Sequence, residues 1–86
     1  MTHHRSEGHS EQERYLLAGL AESFARGHYR VALRRYFMLV ARDYDVPDEL
    51  QPAIERAAVR CTPTEIQKMV DSASAWAAMV SRRGAW

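Results

Sequence analysis

The chain has 86 residues, with 12 Lys and Arg against 11 Asp and Glu for a net charge of +1. An apolar fraction of 47% beside a charged fraction of 27% excludes a disordered chain, and the length excludes more than one ordinary hydrophobic core. So near-neutral a total selects no partner. The distribution is more telling: five arginines and no acid run from Arg26 to Arg42, and Asp43, Asp45, Asp48, Glu49 and Glu55 then follow almost at once. Eleven Arg to one Lys, with no Asn, is what a GC-rich genome supplies, but mutational bias does not account for the clustering.

A single cysteine, Cys61, excludes an internal disulfide and a cysteine metal cage, and it fits a reducing compartment. No apolar run approaches the ~18–20 residues needed to span a bilayer, and the N-terminus lacks an apolar signal core. The expectation is a soluble, cytoplasmic protein.

Residues 1–9, MTHHRSEGH, are polar and aperiodic and read as a flexible tail, either native or a remnant of a tag. The remainder, 10–86, reads as one helical domain. Ser10-Glu11-Gln12-Glu13 is a capping box, so the first helix is predicted over 10–26, with Leu16, Leu17, Leu20, Ala21 and Phe24 as its apolar face. Gly27 is its natural C-cap.

The second helix, predicted over 28–43, dominates the pattern. Tyr29, Ala32, Leu33, Tyr36, Phe37, Val40 and Tyr44 recur at three- and four-residue spacing as a buried stripe, with Met38 and Leu39 off it. Pro47 bars continuation, and a single turn is expected near 47–50. A third helix over 52–60 takes Pro52 in its first turn and presents Leu50, Ile54, Ala57, Ala58 and Cys61 to the core. Thr62-Pro63-Thr64-Glu65 is a second capping box, opening a fourth helix over 63–82 with Ile66, Met69, Val70, Ala73, Trp76, Ala77 and Val80 at helical spacing. Gly84 closes it, with Arg82 and Arg83 at its negative end. The fold class is therefore all-α: a compact bundle or array of four short helices, with Trp76, Phe24, Phe37 and Tyr36 meeting in the middle. So small a core is often completed by a second copy, which points to a homodimer.

Catalytic patterns are missing from the sequence. It offers no Ser/His/Asp or Cys/His arrangement and no phosphate loop. His28 reads as a surface or capping residue and Cys61 as a structural thiol, while Asp43/Asp45 and Asp48/Glu49 fall on a connection. The expectation is a non-enzyme without cofactors or a small-molecule substrate. An amino terminus with His3 or His4 in third place would form a square-planar Cu(II) site in any fold, and a zinc site there lacks further ligands. A helix-turn-helix over Thr62–Ala75 fails because Asp71 and Ser72 replace the turn glycine and apolar anchor, and helical periodicity runs straight through. Membrane-surface binding by the second helix would empty the only core available.

The arginines carry the functional expectation. Arg26, Arg30 and Arg34 lie four residues apart, with Arg35 and Arg42 further round. Together with Met38 and the terminal Trp86 they make a candidate partner-binding surface. Three uses compete for them: internal pairing with Glu22 or the acids from Asp43 to Glu49, an acidic protein partner or second copy, and the phosphates of a nucleic acid. The primary reading is a protein–protein binding module, with nucleic-acid binding as the alternative.

Overall fold

The computed structural model describes residues 10–83. It is all-α, with four helices and no strand among those residues: α1 (Glu11–Ala25), α2 (Tyr29–Ala41), α3 (Gln51–Val59) and α4 (Pro63–Arg83), plus a 3-10 turn over Asp48–Leu50 leading into α3. The tail over 1–9, the His3/His4 copper site, Gly84 and Trp86 lie outside the described residues.

Local chemistry sets the boundaries. Ser10 Oγ accepts from the Glu13 amide at 3.1 Å and starts α1. At its other end Gly27 takes φ +77°, while the Gly27 and His28 amides donate to the Phe24 and Ser23 carbonyls at 3.1 and 2.8 Å. This is a Schellman closure, in which glycine adopts the left-handed conformation without a Cβ clash. The same closure ends α2, but with Asp43 at φ 59° as the left-handed residue, and the Tyr44 amide donates to Leu39 O at 2.9 Å. At the start of α4 the capping box is complete. The Glu65 amide donates to Thr62 Oγ1 at 3.1 Å, and Glu65 Oε1 accepts from the Thr62 amide at 2.9 Å. The 21-residue α4 then runs unbroken, which removes the helix-turn-helix.

The hub of the fold is α2, against which α1, α3 and α4 all pack. α1 returns antiparallel to α2, as the Gly19–Arg35 and Gln12–Tyr44 contacts show. α4 runs parallel to it, meeting Arg30 through Glu65 and Arg42 through Ser81. Two apolar clusters result. Leu16, Leu20, Ala32 and Leu39 join α1 to α2, while Leu33, Ile54, Ala57 and Met69 join α2 to α3 and α4; Phe24, Tyr36, Val46 and Leu50 pack against both. Trp76 packs on the first cluster and Phe37 on the second, so the four aromatics do not meet at one centre.

The expected stripe on α2 needs correcting. Leu39 is wholly buried (0% exposed), whereas Val40 is 47% exposed. With α1 on one flank of α2 and α3 and α4 on the others, the buried surface wraps past a single stripe. Leu39 continues the Ala32 line toward α1, and Val40 falls beyond the reach of the nine-residue α3. On α1, Ala21 is likewise exposed, and the polar Gln12, Glu13 and Ser23 take buried places. Among the described residues no helix is long and apolar enough to cross a membrane.

Candidate functional site

The arginines divide into two groups. Arg26 pairs with Glu22 one turn earlier at 2.9 Å, both side chains being well exposed. Arg30 reaches α4: its Nε and Nη2 donate to Glu65 Oε2 at 3.2 and 2.9 Å. Glu65 thus caps α4 with one oxygen and holds Arg30 with the other. The Thr62 amide, followed by Arg30, pulls its carboxyl below the ordinary glutamate range, and its hydrogen bond and charge raise the Arg30 guanidinium.

Arg42 belongs to a polar network joining three helix ends. Its Nη1 donates to Ser81 Oγ at 3.2 Å and its Nη2 to Tyr44 Oη at 3.5 Å, with the guanidinium 5.7 Å from the Tyr44 ring centroid. Tyr44 Oη donates to Gln12 Oε1 at 3.1 Å and lies 3.3 Å from Ser10 Oγ. Sequence reasoning missed this network because Gln12 and Tyr44 stand 32 residues apart and carry no motif. Gln12 Nε2 and Arg42 Nε are buried within it without a hydrogen-bond partner.

Arg34 and Arg35 behave differently. Neither makes an ion pair or hydrogen bond among the described residues, and the same holds for Lys68. Successive helical residues are rotated by about 100°, so the two guanidiniums leave α2 on either side of the line through Val31 and Met38, each about 50° off it. Arg35 lies against α1. Gly19 leaves room for it, since a Cβ there would sit 2.5 Å from Arg35 Nε. Together with Val31, His28, Arg26 and the Glu22 that pairs with Arg26 it lines a hollow of about 190 Å³ between α1 and α2. Arg34 lies on the α4 side, where it shares a hollow of about 340 Å³ with Lys68, Met69 and Ser72.

These two hollows flank one open face of α2, the side that α3 does not cover. On that face Val31 and Met38 are only half-buried. Along the resulting trough the chemistry is graded. Basic groups gather beside the first half of α2. Half-buried Met38 and Trp76 lie beside the second half, where 68%-exposed Tyr15, one turn before Gly19, edges α1 and 41%-exposed Met79, one turn past Trp76, edges α4.

The aromatics of α2 are engaged in internal contacts, in keeping with the buried stripe. Tyr29 is covered by the Arg60 guanidinium 4.4 Å above its ring, and Tyr36 and Phe37 pack on each other at 5.2 Å within the core clusters. His28 is exposed at the start of α2 without a side-chain cap bond, and Cys61 is a half-buried free thiol. Among the described residues no three His, Cys, Asp or Glu side chains gather as a metal site. Comparison with protein-family models, curated proteins and solved structures finds no match to this chain.

Proposed function

We infer that this chain is a non-catalytic binding module that works by protein–protein contact through the α1–α2–α4 trough, and that its partner is acidic. One observation carries the reading: among the described residues Arg34, Arg35 and Lys68 make no ion pair, and they share a face with the partly exposed apolar groups Met38 and Trp76. Arginine, methionine and aromatic side chains are the residues enriched at interface centres. The charges supply steering and specificity while the apolar groups supply affinity. A half-buried free thiol at Cys61 supports a cytoplasmic setting.

Self-association through this face is unfavourable. Across a two-fold axis the same basic and apolar trough would face itself and bring Arg34, Arg35 and Lys68 no acidic surface, so a homodimer would use another surface. Nucleic acid is the second reading, favoured by Arg34 and Lys68 lining one hollow with no acid in it. Against it, Tyr29, Tyr36 and Phe37 are committed to internal contacts and leave few rings for bases to stack on.

Panning a displayed random-peptide library against the immobilised protein tests the reading. Enriched sequences should be net acidic and carry apolar residues, and Arg34→Glu/Lys68→Glu, a change of two exposed side chains, should abolish their binding. Enrichment of neutral or basic sequences, or binding indifferent to the charge reversal, refutes it. Micromolar binding of labelled DNA or RNA, with a log–log salt slope of several units, would establish the nucleic-acid reading instead.

A further inference from the structure

The trough has a direction and a width, and these constrain what an acidic partner looks like. Its floor is a helix face: Val31 and Met38 are seven residues apart, two turns on one line, or about 10 Å along the axis. α1 and α4 form its walls, one antiparallel and one parallel to α2. A helix laid over a third helix between two others completes a packing that three helices leave open on one side.

Resting on the acidic-partner reading above, we propose that the trough receives one amphipathic helix of a partner protein. This helix sets apolar residues against Met38 and Trp76 and carries carboxylates one to two turns away that reach Arg34, Arg35 and Lys68. The gradation along α2 argues for this occupant. A helix presents side chains at i, i+3, i+4 and i+7 to one surface, which matches the two-turn spacing of the floor. Arg34 and Arg35 diverge to opposite sides of the floor, so a single helix with acids on both edges of its apolar stripe meets both. An extended strand projects side chains only up and down, and its unpaired backbone polar groups would lie on Val31 and Met38, which cannot hydrogen-bond them. Gly19 contributes by letting Arg35 fold down beside α1 rather than across the floor.

The experiment uses two synthetic peptides of identical composition, rich in Leu and Glu. One sets leucines at helical spacing, with glutamates on both edges one to two turns away; the other alternates Leu and Glu. Binding is followed by amide and indole NMR shifts on the protein and by peptide circular dichroism. The helical isomer should bind at least about tenfold tighter, gain helicity and shift Val31, Met38 and the Trp76 indole, and it should lose about tenfold on Met38→Ala or Arg34→Glu/Lys68→Glu. Equal binding by both isomers, still abolished by the charge reversal, overturns the helical occupant and leaves the acidic-partner reading standing. Binding by neither isomer overturns both. Shifts confined to α3 overturn the site.

Discussion

Replacing Tyr44 by Phe tests whether the polar network at the end of the trough is a buried structural unit. The hydroxyl donates to Gln12 Oε1, lies 3.3 Å from Ser10 Oγ and accepts from Arg42. Gln12 is 3% exposed and its Nε2 already has no partner, so removing the hydroxyl leaves both ends of that amide unpaired in the interior. A lost hydrogen bond costs about 0.5–1.5 kcal/mol, and stranding a buried polar group costs about 1–3 kcal/mol. Tyr44 is only half-buried and its neighbours gain some access to water, so the lower half of the combined range applies, about 1.5–3 kcal/mol.

Gln12→Leu behaves differently. It removes the stranded amide together with the acceptor, and the tyrosine hydroxyl keeps Ser10 and Arg42, so the cost should stay under about 1 kcal/mol. The double variant leaves no orphaned amide and should be more stable than Tyr44→Phe alone, a coupling of about 1 kcal/mol or more. Urea unfolding followed by far-ultraviolet circular dichroism, read as a midpoint shift at constant slope, gives all three values. Additivity within about 0.5 kcal/mol, or a neutral Tyr44→Phe, would refute the reasoning, since either result means water already satisfies these groups.

Leu39→Ala should cost about 3–5 kcal/mol, because Leu39 is wholly buried between α1 and α2. Against a total of about 4–13 kcal/mol for a chain of this size, a large fall in thermal midpoint is expected. Asp43→Gly should raise the midpoint by the equivalent of about 1 kcal/mol, since Asp43 holds φ 59° where glycine has no Cβ clash, and Asp43→Val should lower it. Glu65 gives a pH dependence with a definite sign. Its carboxyl is held low in the native state, so on acidification the unfolded state takes up the proton first. Stability from this group is complete above about pH 5, falls through the ordinary glutamate value near 4.3, and is gone once the native carboxyl is protonated too. Thermal melts of Glu65→Gln across this range should show a flatter acid limb than the parent protein.

Much of the fold is legible in the sequence because the signals that end helices are local. Ser10, Gly27, Pro47, Pro52 and the Thr62–Glu65 box each act within a few residues, and the helices begin and end within two residues of where those signals put them. The hub was legible too, since the apolar pattern of α2 is the strongest in the chain. The exchange of Leu39 for Val40 was not. Which flank of a central helix is covered depends on the length and placement of its neighbours, and periodicity records one stripe whereas α2 is covered from three directions. The burial of Gln12, Glu13 and Ser23 on the inner face of α1 is equally non-local.

The candidate surface was legible only as a cluster of charge. Arg26, Arg30, Arg34, Arg35 and Arg42 look equivalent in the sequence, and the acids from Asp43 to Glu49 look like their counter-ions. Packing separates them. Those acids fall on the connection after α2, where Asp43 serves the helix end. Arg26 pairs with Glu22 on α1 and Arg30 with Glu65 on α4, while Arg42 turns to Ser81 and Tyr44. What distinguishes Arg34 and Arg35 is that neither makes an ion pair among the described residues: Arg34 meets Lys68 and Ser72 of α4, and Glu22, which lines the hollow beside Arg35, pairs with Arg26 instead. A second cation facing Arg34 is the opposite of what internal pairing would select. Three positive charges without an ion pair among the described residues, beside the partly exposed Met38 and Trp76, are what supports the proposed acidic protein partner over bare phosphate.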